Sequence, residues 1–71
     1  MNFYIDKRLK NHFRGQPLNV ETGKTTLKRS EATKFDDKKS AVDVCDTLKL
    51  MSPEDHFSVR ADLKHYSIKS N

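Results

Sequence analysis

Between Asp36 and Met51, the apolar residues Ala41, Val44, Cys45, Leu48 and Met51 recur at i, i+3, i+4, i+7 and i+10. That spacing follows one face of an α-helix, so it predicts an amphipathic helix with a single buried stripe. Asp36 or Asp37 supplies a capping carboxylate at its start, where a negative charge also suits the positive end of the helix dipole. Pro53 stops the helix, because the residue before a proline is pushed out of the α region.

Elsewhere the period drops to two. Phe57, Val59, Ala61 and Leu63 alternate with Ser58, Arg60 and Asp62, the pattern of a strand with one buried face. Residues 2–5 read as a short strand with Phe3 and Ile5 on one side and Tyr4 on the other. Leu18 and Val20 alternate with polar neighbours before Thr22-Gly23-Lys24, as Thr25 and Leu27 do after it, which predicts a β-hairpin over 18–29. Ser30 is placed to cap a brief turn that sets Ala32 and Phe35 on the same side. The basic stretch 6–16 reads as a loop or helical turn ended by Gly15 and Pro17, with Leu9 and Phe13 closing the end of the core. Residues 66–71 continue the last strand or form a tail, with 68–71 frayed.

The order strand, hairpin, helix, strand gives an α+β fold class. The expected architecture is a small three- to four-stranded, mainly antiparallel sheet with the helix packed on one face. The 71 residues form one domain without internal repeats. Leu, Ile, Val and Phe together number 16, about 23% of the chain and just above the roughly 20% below which disorder is expected. Their ordered spacing therefore matters more than their number. So small a core leaves a narrow stability margin, and the chain is expected as a monomer or homodimer.

Cys45 is the only cysteine, so no internal disulfide staples the fold. Within the helical stripe it acts as a small buried apolar residue. The chain has no signal peptide pattern, no apolar run long enough to span a bilayer and no Asn-x-Ser/Thr acceptor. It is read as a protein of the cytoplasm, without membrane contact.

The formal charge of +4 is unevenly spread. Residues 1–30 carry seven Lys or Arg against two carboxylates, net +5, whereas 31–62 carry five against eight, net −3. Two surfaces of opposite sign follow. On the helix, Lys39, Val42, Asp43, Asp46 and Leu50 lie opposite the core stripe. Asp43, Asp46 and Leu50, extended by Glu54 and Asp55, form a candidate protein-binding patch in which the leucine anchors and the carboxylates steer. The alternative surface is basic: Lys7, Arg8, Lys10 and Arg14 can meet phosphates, with Phe13 or Tyr4 offering a stacking face.

Other chemistry is less well supplied. Gly23-Lys24-Thr25 resembles the end of a phosphate-binding loop, but the glycine required five residues earlier is Leu18, so the segment is a turn. His12, His56 and His65 lack metal-ligand spacing, and no cofactor is expected. Two of these histidines with a lysine would suffice for a minimal metal-free ribonuclease if the fold brought them together. That is the third reading.

The stretch Thr26-Leu27-Lys28-Arg29-Ser30-Glu31-Ala32-Thr33-Lys34-Phe35, followed by Ala41 and Leu48, resembles a pattern in small phage-encoded accessory proteins. In those proteins a strand leads into an Ala-x-x-Phe turn, an amphipathic helix follows, and a last strand closes the sheet. The likeness covers roughly residues 18–62 and carries no functional residue across. Such proteins, anti-CRISPR proteins and other host-takeover factors among them, bind and block a host macromolecule. Most anti-CRISPR proteins are acidic, and this chain departs from them in being net basic. The resemblance implies a non-enzymatic inhibitor or modulator from a phage or mobile element, whose partner is a host protein or complex. Nucleic-acid binding is the alternative.

Overall fold

The structure is a computed structural model, and it describes residues 2–62. Its elements are strand β1 (Phe3–Arg8), strands β2 (Gln16–Asn19) and β3 (Lys24–Thr25), a single 3₁₀ turn (Arg29–Glu31), helix α1 (Lys38–Met51) and strand β4 (His56–Ala61). The four strands form one antiparallel sheet in the order β3-β2-β1-β4, and α1 packs on one side of it. Among the described residues the architecture is α+β, as the hydrophobic periods predict.

The β1–β4 ladder sets the two faces. Phe3 pairs with Ala61, Ile5 with Val59 and Lys7 with Phe57, and residues directly opposite in a ladder share a face. These six face the helix. Ile5, Leu18, Cys45 and Phe57 form the buried cluster, and Val20, Phe35, Val44, Leu48 and Val59 pack around it. Tyr4, Asp6 and Arg8, paired with Arg60, Ser58 and His56, take the other face.

Several expectations need correction. The first strand runs on to Arg8, so Asp6, Lys7 and Arg8 belong to the sheet and not to the basic loop. A polar strand end is stable here because the neighbours answer its charges: Arg60 Nε lies 3.2 Å from Asp6 Oδ2, and Lys7 Nζ lies 3.8 Å from Asp55 Oδ2. Tyr4, on the face away from the helix, is nevertheless buried, with Lys34 Nζ 5.1 Å from its ring centre.

The hairpin is shorter than 18–29. Leu18 pairs with Thr25 and Asn19 with Lys24, and the turn between them uses Gly23 at φ 75°. That left-handed conformation disfavours side chains with a Cβ, which explains the glycine. Leu27 lies beyond the hairpin and is 87% exposed. The chain then returns to the sheet through 33–35. Thr33 N–H donates to Leu18 O, and Phe3 and Phe35 exchange backbone hydrogen bonds of 2.9 and 2.8 Å. This bridge continues the edge of β1 that β2 occupies, at the N-terminal end that β2 does not reach. Ser30 does not cap the preceding 3₁₀ turn, whose N-cap is Lys28 without a side-chain bond.

Helix α1 starts at Asp37, whose carboxylate accepts from Ser40 N–H (3.1 Å) and Ser40 O–H (2.9 Å). The helix ends at Met51, one residue short of Ser52, which precedes Pro53. Ala41 and Cys45 are buried, and Val44 and Leu48 are partly so, in line with the stripe. Met51 departs from it at 73% exposure. No helix among the described residues is long and apolar enough to cross a membrane. The expectations for Leu63 and for the tail, including a frayed 68–71, lie outside the described residues.

Candidate functional site

Apart from Leu27, the exposed large apolar side chains among the described residues fall in two segments. Leu50 (84%) and Met51 end α1, while Leu9 (42%) and Phe13 (97%) lie in the β1–β2 loop, residues 9–15. The turn 52–55 brings α1 to the start of β4, and His56 of β4 pairs with Arg8, the last residue of β1. The helix end and the β1–β2 loop therefore sit at the same end of the sheet. Leu9 and Phe13 do not close the core as expected. Instead they stand outside it, because the core beneath is already completed by Ile5, Leu18, Phe57 and the helix.

At the helix end, Asp43, Asp46 and Leu50 share the stripe turned away from the sheet, and all three are exposed. Asp43 shares its charge with Lys39, 3.3 Å away across one helical turn. Asp46 and Glu54 are exposed and take part in none of the ion pairs among the described residues. Asp55 differs from them. It is partly buried and held by Lys7, so it is a brace between β1 and the turn. The apolar part of the patch gains Met51, which the helical period had assigned to the core.

The basic residues divide in the same way. Lys7 is committed to Asp55 and lies 5.9 Å from the Phe57 ring centre. Arg8 Nη1 donates to His12 O at 3.0 Å, and His12 N–H donates to Leu9 O at 3.0 Å, so these two bonds shape the loop. Gly15 draws it against the sheet, where an added Cβ would come within 3.1 Å of Asp6 Oδ2. Lys10 and Arg14 remain exposed on this loop and outside the described ion pairs. Asn11, His12, Phe13, Arg14 and Gln16 line a cleft of about 400 Å³.

His12 and His56 come to the same end of the molecule, on either side of Arg8, and His65 lies outside the described residues. Neither imidazole donates or accepts a hydrogen bond among the described residues. Nor do any three His, Cys, Asp or Glu side chains there gather closely enough to hold a metal ion. Cys45 is buried within the core, and desolvation pushes its thiol above the ordinary range, which disfavours the thiolate.

No protein-family model matches the chain, and no curated protein or solved structure matches it.

Proposed function

We propose that this chain is a non-enzymatic binding protein that docks on a basic surface of a host protein through the end of α1 and occludes it. The observation that carries this reading is the exposure of both Leu50 and Met51 in the last turn of α1, at 84% and 73%, near the exposed carboxylates of Asp46 and Glu54 in the chain. Large apolar side chains this exposed contribute little to the fold. Buried at the centre of an interface, they would supply most of its binding energy. The surrounding carboxylates select a cationic partner and raise the association rate, more strongly at low salt. The pattern likeness to phage-encoded accessory proteins agrees with an inhibitor or modulator of this kind.

The test is capture from a bacterial lysate on the immobilised protein, after nuclease treatment, with Leu50→Glu as the matched control. A protein retained by the native chain, lost with Leu50→Glu and weakened by added salt supports the reading. Equal retention by both chains removes the helix end as the docking site.

A further inference from the structure

Two of the clefts among the described residues differ in how their cations are used. The smaller, about 260 Å³, is lined by Arg29, Ser30, Lys34 and Asp62, and its cations pair with Asp62 at 3.9 and 3.3 Å. In the larger one, at the β1–β2 loop, Arg14 lines the cleft, Lys10 stands on the same loop, and the carboxylate that approaches the loop, Asp6 beside Gly15, is paired with Arg60. Phe13 lines it too and is 97% exposed, more than any other large apolar residue described. The amides of Asn11 and Gln16 add donors and acceptors.

We propose that the β1–β2 loop binds single-stranded nucleic acid, stacking a base on Phe13 and holding the adjoining phosphates with Lys10 and Arg14. Each element of such a site is there. An exposed aromatic face takes any base, cations follow the backbone, and side-chain amides reach base edges. The cleft is open and its lining residues are all exposed, which suits a base stacking from solvent. The loop is partly organised in advance, because the Arg8–His12 and His12–Leu9 hydrogen bonds and the close approach of Gly15 to Asp6 fix its path. Less ordering is then required on binding. A duplex fits poorly, since its bases are already stacked and leave no face for Phe13. The site uses none of the residues at the helix end.

The chain contains no tryptophan, so Phe13→Trp places its one tryptophan at the site, excited selectively over the two tyrosines. Titration with an oligothymidylate of about twelve nucleotides, inside the span that single-strand binders cover, should quench this fluorophore. Affinity should fall roughly tenfold between about 50 and 200 mM salt, the dependence expected for two or three phosphate contacts. By anisotropy of a labelled oligonucleotide, Phe13→Ala should lose roughly five- to a hundredfold in affinity, the range for removing one base stack. The joint variant Lys10→Ser, Arg14→Ser should lose most binding and most of the salt dependence. Melting curves of both variants should overlay the native one. Absence of quenching at low salt overturns the proposal. So does a duplex that binds as tightly as the single strand, or thymidine monophosphate that binds as tightly as the oligonucleotide. Loss of a captured protein on Phe13→Ala, without any oligonucleotide binding, would instead make the loop a protein contact.

Discussion

The Lys7 ammonium lies 3.8 Å from the Asp55 carboxylate and joins the end of β1 to the turn that leads from α1 into β4. By charge pattern these residues belong to opposite surfaces, one basic and one acidic. In the fold they are partners, each with about a fifth of its side chain exposed. A pair at that exposure is partly screened by water, so its coupling should be about 0.2–1 kcal/mol. A double-mutant cycle of Lys7→Ala and Asp55→Ala, read by denaturant unfolding, should give coupling of that size and vanish in high salt. Zero coupling at low salt would mean that the two ends are held by backbone pairing alone.

Ile5 is fully buried and Leu18 is 2% exposed, so each forms part of the centre of the core. Truncation of either to Ala should cost about 2–5 kcal/mol, most of the stability available to a domain this small. Leu27→Ala should change stability by less than about 0.5 kcal/mol, since its side chain is 87% exposed. Urea unfolding of the three variants checks the ranking. A large loss at Leu27 would contradict the short hairpin.

The contrast between Leu18 and Leu27 shows where the sequence was legible. Periods of 3.6 and 2 identify α1 and β4 because each turns one face to the core along most of its length. Asp37, Pro53 and Gly23 mark ends and turns through local backbone chemistry, and all three do so in the structure. The polar half of β1 was not legible, because its charges are answered by Arg60 and Asp55 from distant segments. The 33–35 bridge was hidden for the same reason, since Phe35 reads as a turn residue until Phe3 is placed beside it. At the candidate sites, the outward stripe of Asp43, Asp46 and Leu50 follows from helical geometry. The exposure of Met51 and Phe13 does not, because Met51 keeps the period of the buried stripe although the helix ends there, and Phe13 lies in a loop without a period.

Asp37 makes one part of the stability depend on pH. Its carboxyl is held below the ordinary aspartate value, first by the Ser40 hydroxyl and then by the Ser40 backbone N–H. A lowered native pKa means that the unfolded chain binds the proton more readily. The contribution is therefore present above the ordinary pKa and is lost as pH falls through the lower native one. In melts recorded from about pH 5 down to pH 2, spanning the normal carboxylate range, the native chain should lose this increment while Asp37→Ala should have none to lose. Parallel curves for the native chain and Asp37→Ala would show that the cap does not titrate with folding.

Opposite sides of α1 should respond oppositely to substitution. Ala41 is 0% exposed, facing the sheet, and Ala41→Leu forces three extra carbons into a filled space, costing about 1–3 kcal/mol. Leu50→Glu places a charge where 84% of the side chain is already in water, so the melt should move by less than about 0.5 kcal/mol. Met51→Glu should behave like Leu50→Glu, although helical spacing puts Met51 in line with Ala41, Val44 and Leu48. The sharpest comparison is Met51 with Leu48, three residues apart, because only Leu48 packs against the core cluster. If Met51→Glu unfolds the chain as Leu48→Glu should, the stripe continues to the end of the helix, and the exposed apolar pair that supports docking is reduced to Leu50 alone.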